Sequence, residues 1–183
     1  MKKTVLFILI LIIHFFISAE EKLSSSAGMS TGHSWFHNYS GYSEHGMNIT
    51  LDFHPALDRY FRIHSSLSLH FQFEEKEISG DSGIRKAKFF APQLTFGPEP
   101  VLPLFKDRLF LFFGAGLNFL VGINYSETTN DTVADFSPGF YARCGFDIVF
   151  AKFFGLGINS EYSWSIVHNP HILSLNFSLN LSY

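Results

Sequence analysis

Five charged residues lie in segments of the sequence that are otherwise strongly apolar: Asp52, Arg62, Arg143, Asp147 and Glu161. In extended strands they fall on the opposite parity to the large apolar residues, so they belong to the polar faces of those strands. Three acids and two bases enclosed in a narrow interior pair with one another. We therefore predict a lumen charge network that fills this interior. The functional alternative for the same groups is a gated small pore or a proton path.

The nine histidines are the other residues that could do chemistry. His33 and His37 are four apart, which suits a metal site on a helix, but in a strand such residues lie ~13 Å apart. His168 and His171 flank a turn at Asn169-Pro170. We predict that the histidines are polar loop and lumen residues, and that the chain has no metal site and no cofactor.

A nucleophilic site is not indicated either. His64-Ser65-Ser66 contains a His-x-Ser pair, but strand parity directs His64 and Ser66 to the same interior. Cys144 is the single cysteine, so it forms no internal disulfide and has no companions for a metal site. Gly114-Ala115-Gly116 lacks the third glycine of a dinucleotide-binding loop. The sequence therefore predicts no catalytic residue.

The segment 171–183 shows most clearly what positions these residues. Its apolar residues share one parity: Leu173, Leu175, Phe177, Leu179, Leu181 and Tyr183. Its polar residues share the other: Ser174, Asn176, Ser178, Asn180 and Ser182. A period of two gives a strand one apolar and one polar face, whereas a helix would scatter both sets around its circumference. The segment is therefore predicted to be a strand.

The same alternation recurs upstream and predicts about eight strands. Besides the last, the strong ones are 47–54, 61–73, 109–123, 140–150 and 154–165, and the weaker ones are 35–42 and 88–96. Short inner turns are expected at 54–59 and 151–153, and longer polar outer loops at 74–86 and 126–138. The proline-bearing segment 97–107 is expected to be an unusually long inner turn.

The beginning of the chain has the layout of a secretory signal peptide. A basic start at 1–3 precedes an apolar run from 5 to 18, which ends at Ala19 before charged residues. We expect cleavage after Ala19, which makes 1–19 the signal peptide and 20–183 one barrel domain. An uncleaved anchor is the alternative. The net charge of −3 gives no reason to expect nucleic acid as a partner.

Closed β-barrels with one apolar and one polar face exist in two forms. A soluble lipocalin-type barrel has its apolar residues inside, whereas a membrane barrel has them outside. The 23 phenylalanines favour the membrane form, in which large apolar residues face lipid. Small residues on the polar parity suit a narrow interior. A transmembrane helix at 109–123 is a further alternative, although its glycines do not recur at the spacing of four that packs helices.

The leader, the alternating strands and the terminal Asn180-Leu181-Ser182-Tyr183 resemble the small outer-membrane β-barrel families of Gram-negative bacteria. The resemblance implies an all-β, transmembrane, antiparallel up-and-down barrel in the outer membrane, with outer-membrane lipid around it. It also implies that the barrel assembly machinery reads Tyr183 as a C-terminal assembly signal. That position is usually Phe in these families.

Three functions are compatible with this architecture. The leading hypothesis is a non-enzymatic barrel that anchors surface loops for contact with the envelope or an extracellular ligand. The second is a lipid A modifying enzyme of the deacylase or acyltransferase type, and the third is a narrow, porin-like channel. The deacylase resemblance calls for a His-x-Ser pair with a following Glu near the end of the chain. The region around Glu161 and His171 lacks that pair, so no catalytic residue is carried over.

Overall fold

The computed structural model describes residues 25–182 except 40–41, 73–75, 81–82, 127–130, 152 and 168–170. Nine strands make up most of this part of the chain. They are β1 (Ser26–Tyr39), β2 (Tyr42–His54), β3 (Phe61–Gln72), β4 (Lys76–Gly80), β5 (Gly83–Leu104), β6 (Leu109–Ser126), β7 (Asp131–Ala151), β8 (Phe154–Ser165) and β9 (His171–Ser182). None of the described residues belongs to a helix long and apolar enough to span a membrane.

The strands form a closed, antiparallel barrel. Neighbours follow the order β3-β2-β1-β9-β8-β7-β6-β5, and pairing between β3 and β5 completes the circle. The short β4 pairs with β5 beyond the end of β3, so β3 and β4 share one position in an eight-stranded barrel. The first and last strands also pair, with Ser26 opposite Ser182. The expected all-β up-and-down barrel of eight strands is confirmed, and residues 109–123 lie in β6, which excludes the helix alternative.

The barrel is apolar outside and polar inside. On β9, Phe177 is 61% exposed while its neighbour Asn176 is 5% exposed, and the alternation continues along the strand. The other strands repeat this arrangement, so most exposed large side chains are apolar and most buried side chains are polar. A soluble barrel has the opposite arrangement. The structure therefore resolves the ambiguity of the faces in favour of the membrane-type barrel.

The strands are also long enough for a bilayer. The shortest complete barrel strands, β3, β8 and β9, have 12 residues each. At ~3.3 Å per residue and a tilt of ~40°, such a strand rises ~30 Å along the barrel axis. This exceeds the ~25 Å apolar band of outer-membrane barrels.

The expected long inner turn at 97–107 is wrong. β5 continues to Leu104, and the turn occupies only 105–108. Pairing of β5 with β3 is continuous from Phe90 to Pro100, whereas its register with β6 lapses at 91–92 and 97–100, which contain Pro92, Pro98 and Pro100. Proline has no N–H to donate to a ladder, so these residues are accommodated where pairing with β6 is interrupted.

The expected outer loops at 74–86 and 126–138 are also mostly strand. β4 and the start of β5 pair from Lys76↔Ala87 to Gly80↔Gly83, and β6 pairs with β7 up to Ser126↔Asp131. Backbone pairing does not require an apolar face, so polar sequence can extend a hairpin. The weaker strand expected at 88–96 lies within the longer β5, whereas the one expected at 35–42 overlaps only the end of β1, and its last residue begins β2.

The two ends of the barrel differ. We call the end with the β2–β3, β5–β6 and β7–β8 connections the short-turn end, and the opposite end the hairpin end. At the short-turn end Arg59 donates a hydrogen bond to Asp107 Oδ1 at 2.8 Å, and this bond raises the pKa of Arg59. The pair ties two turns together, and Phe105, Lys106 and Asp107 have positive φ values there. Residues 1–19 and Tyr183 lie outside the described residues.

Candidate functional site

The lumen has apolar layers near both ends of the barrel. Near the hairpin end the layer consists of four side chains that are at most 1% exposed: Phe36, Ala91, Leu120 and Ile172. Nearer the short-turn end, Val101, Phe110 and Phe112 form a second buried cluster. These residues point inward on strands whose other inward residues are polar or glycine. Polar residues fill the lumen between these two clusters, and some, such as Asp147 opposite Phe110, lie level with the second cluster.

A chain of ion pairs crosses this polar interior. Arg62 donates to Asp147 at 3.0 Å and, through Nε, to Glu99 Oε1. Arg143 Nε lies 3.2 Å from Glu99 Oε2, and Arg143 Nη1 donates to Asp52 Oδ1 at 3.3 Å. The order is therefore Asp147, Arg62, Glu99, Arg143, Asp52, with every member buried. Four of these residues are among the five charged residues singled out from the sequence.

The fifth, Glu161, is buried but joins the network differently. It accepts a hydrogen bond from Gln93 Nε2 at 3.3 Å, and its Oε2 lies 3.9 Å from His64 Nε2. Gln93 also donates to Ser163 at 2.5 Å. Glu161 therefore links the ion-pair chain to a region of neutral hydrogen bonds closer to the hairpin end.

Phe112 supports the two arginines. The Cζ atoms of Arg62 and Arg143 each lie 4.9 Å from the centre of its ring. An aromatic face attracts a cation electrostatically, and the attraction is stronger away from water. One ring thus holds both guanidinium groups in position while they share the Glu99 carboxylate.

Two members of this site, Glu99 and Phe112, are not predicted from the sequence. Glu99 lies between two prolines, in a segment that resembles a turn, although it shares the parity of Gln93 and Thr95. That parity is the signal that could have found it. Phe112 carries the same signal, because it shares the parity of Gly114 and Asn118, but a large apolar side chain in an apolar run is expected to face lipid. The structure shows that it points inward.

Asp52, His54 and His64 are close enough for one metal ion, since one ligand atom from each lies within 4.8 Å of the others. The His54 and His64 rings are hydrogen-bonded at 3.1 Å. However, Arg143 Nη1 lies 2.6 Å from His64 Nδ1 and 3.3 Å from Asp52 Oδ1. A guanidinium already contacts two of the three ligands, so this donor set serves the ion-pair network.

The remaining residues considered for catalysis are dispersed. His64 and Ser66, the His-x-Ser pair, are both buried in the lumen. Ser163 and Ser165 also point inward, whereas His171 faces outward, where its Nδ1 is hydrogen-bonded to the Tyr162 hydroxyl. The described residues therefore do not bring a serine, a histidine and an acid together on the outer face.

Comparisons with known proteins support the fold. No protein-family model and no curated protein matches the chain. Among solved structures, Neisserial surface protein A is 10% identical with a TM-score of 0.69, and the match covers 87% of this chain and 97% of that one. Ail of Yersinia pestis is 12% identical with a TM-score of 0.62, covering 89% and 100%. OprG of Pseudomonas aeruginosa is 10% identical with a TM-score of 0.60, covering 91% and 99%.

These similarities, at low identity, establish the architecture. The chain has the closed eight-stranded fold of small outer-membrane β-barrels, as its sequence pattern predicts.

Proposed function

We propose that this protein is an outer-membrane barrel of non-enzymatic function that holds its extended hairpins outside the cell, where they contact the envelope or an extracellular ligand. The observation that carries the proposal is the combination of an apolar exterior with a filled lumen. An apolar exterior requires lipid, and a filled lumen supplies rigidity. Because the wall is then in lipid and the lumen is occupied by side chains, we infer that the protein acts at its hairpin end.

The exterior favours residence in a bilayer. Large apolar side chains are exposed on most barrel strands, and a closed barrel satisfies its backbone hydrogen bonds without water. Near the hairpin end the outward residues change to Trp35, Tyr162 and Trp164. Amphipathic aromatic rings at this position are typical of the boundary between acyl chains and headgroups.

The hairpins at one end favour a role in contact. β5, β6 and β7 have 22, 18 and 21 residues, compared with 12 in β8 and β9. The extra length forms the β4–β5 and β6–β7 hairpins, which extend polar backbone beyond the barrel. Ail, which has the same fold, has been solved in complex with the heparin analogue sucrose octasulfate. A sulfated glycan is therefore a suitable first probe.

The first test establishes where the protein resides. Outer membranes from an expressing Gram-negative host should contain a protein whose gel mobility shifts on boiling and whose circular dichroism is β-rich. The second test replaces the paired hairpin segments 76–86 and 124–133 by short Gly-Ser linkers, with a matched control that inserts the same linker at the short-turn end. Loss of binding to heparin or to host cells in the hairpin variant alone is expected. Unchanged binding and envelope properties would contradict the proposal.

The enzyme hypothesis makes a separate prediction. Because His64 and Ser66 are enclosed in the lumen, they have no access to acyl chains in lipid. Lipid A mass spectra should be unchanged when the folded protein is expressed in a host with unmodified lipid A. A new lipid A species that has lost or gained an acyl chain would contradict the anchor proposal and support the enzyme hypothesis.

The channel hypothesis is tested in the same way. The side chains that point into the lumen, including the two apolar clusters and the ion pairs, are buried, so we expect no continuous aqueous path through the barrel. Planar-bilayer recordings of purified protein should therefore show no steady conductance. Reproducible single-channel steps, lost when the protein is boiled, would favour the channel.

A further inference from the structure

Four histidines face outward near the hairpin end, on three adjacent strands. His33 and His37 are on β1, His45 is on β2 and His171 is on β9. The closest pair is His33 and His45, whose Nε2 and Nδ1 atoms lie 3.2 Å apart with ring centres separated by 5.4 Å. Both side chains are at least partly exposed, so this pair is accessible from outside the barrel.

The pair results from strand register. On the β1–β2 ladder His33 is opposite Met47, and Trp35 is opposite His45. His33 and His45 are therefore diagonal neighbours on one face, a relation in which long or aromatic side chains reach each other. Spacing along the sequence does not indicate this contact, because the two residues are twelve apart.

We propose that His33 and His45 bind a divalent transition-metal ion at the outer surface of the barrel, with Cu²⁺ bound most tightly. Imidazole nitrogen binds such ions at ~2.0–2.1 Å, so two ligands of one ion are ~3.3 Å apart in tetrahedral geometry and ~2.9 Å apart as square-planar neighbours. The 3.2 Å between the two nitrogens lies within this range. The pair can therefore bind an ion with little movement of the strands.

The surroundings of His33 and His45 favour metal binding more than the surroundings of the lumen histidines do. Trp35 packs edge-on against His33 with ring centres 4.3 Å apart, which restricts the orientation of the imidazole. Water at the headgroup boundary can supply the remaining ligands, because His45 lies opposite Trp35 and therefore at the level of that boundary. Nitrogen ligands select Cu²⁺, Ni²⁺ and Zn²⁺ over Mg²⁺ and Ca²⁺, which prefer oxygen.

The other outward pair provides a matched control. His37 and His171 are also on neighbouring strands, but their ring centres are 6.2 Å apart. The Nδ1 atom of His171 is hydrogen-bonded to the Tyr162 hydroxyl, and the Tyr162 ring stacks on the His171 ring with ring centres 5.6 Å apart. Removal of either histidine tests the effect of losing an outward imidazole without disturbing the proposed site.

The experiment uses untagged full-length mature protein in detergent, with its fold verified by the mobility shift on boiling. Cu²⁺ is titrated while tryptophan fluorescence is followed, in a Trp164→Phe background that leaves Trp35 as the single reporter. We expect saturable quenching by one ion per barrel. His33→Ala and His45→Ala should each lower the affinity ~10-fold or more, and His171→Ala should change it less than about two-fold. Mg²⁺ should not compete.

Electron paramagnetic resonance of the Cu²⁺ complex gives a second measurement that does not depend on the affinity. Coupling to two imidazole nitrogens is expected in the unmodified protein, and to one in the His45→Ala protein. Unchanged affinity in the His33→Ala/His45→Ala double variant, an equal loss in His171→Ala, or coupling to no imidazole nitrogen would each overturn the proposal.

Discussion

The lumen histidines and the outward histidines are the same residue type in opposite settings. Seven of the nine lie among the described residues, and three of these point inward while four point outward. His70 Nε2 donates a hydrogen bond to Gln93 Oε1 at 2.7 Å, its Nδ1 is hydrogen-bonded to the Ser34 hydroxyl at 3.1 Å, and the residue is 2% exposed. His33 and His45 instead contact each other on the outer face, beside the half-buried Trp35.

This difference shows that barrel closure gives inward and outward polar residues different roles. Inside the barrel, water cannot replace a hydrogen-bond partner that is lost. The remaining polar group is then buried without a partner, which lowers the free energy of unfolding. Outside, near the headgroups, water replaces any lost partner. Lumen residues should therefore control stability, and the outward pair should control binding. The predictions below test this division, from the largest effect to the smallest.

The largest effect is expected for Glu99→Ala. It removes the carboxylate that both Arg62 and Arg143 contact and leaves two buried guanidinium groups with fewer partners. Breaking a buried ion pair from one side costs about 3–5 kcal/mol. Urea unfolding in detergent, followed by tryptophan fluorescence, should show this loss, and the folded band on gels should be lost at lower temperature. Glu99→Gln, which preserves shape, should lose less. Equal stability of Glu99→Ala and the unmodified protein would show that the network is unimportant.

Gly114→Leu should have the next largest effect. A Cβ atom at Gly114 would lie 3.1 Å from Arg143 Cγ and 3.2 Å from Glu99 Oε2, so a larger side chain has to displace the ion pair. Overpacking of this kind costs about 1–3 kcal/mol. The matched control is Ala115→Leu, one residue along the same strand, where the side chain faces outward and is exposed. If both variants lose the same stability, the difference between the two faces is not the cause.

His70→Ala compares the two classes of histidine directly. Its loss leaves the buried Gln93 and Ser34 each short of a hydrogen-bond partner, which should cost about 1–3 kcal/mol in urea unfolding. His37→Ala, on the exposed face, should change stability by less than about 0.5 kcal/mol. The division proposed above fails if His37→Ala is the more damaging of the two.

The smallest effect is expected for Arg59→Ala. The Arg59 side chain is 53% exposed at the short-turn end, so water and salt reach it, although its partner Asp107 is buried. Exposed pairs contribute little because solvent and salt screen them. The urea midpoint should therefore change little, and that small change should vanish at high salt. A large loss at all salt concentrations would indicate that the two linked turns hold the barrel closed.

Particular residues show how far the sequence predicts the fold and the site. The alternation in β9 is visible without a structure, because a strand repeats every two residues and each face acts locally. The inward positions of Asp52 and Glu161 follow from the same rule. Glu99 does not, because the flanking prolines indicate a turn, and only the continuous pairing of β5 with β3 shows that the strand goes on.

The sequence by itself determined the class of the protein: strands with one apolar and one polar face, in sufficient number to close. The tertiary structure decided which face is inside, which carboxylates meet which arginines, and which histidines meet at all. His33 and His45 come together only because the β1–β2 register places them on one diagonal. Local periodicity is encoded residue by residue, whereas register and closure depend on contacts between segments far apart in the chain.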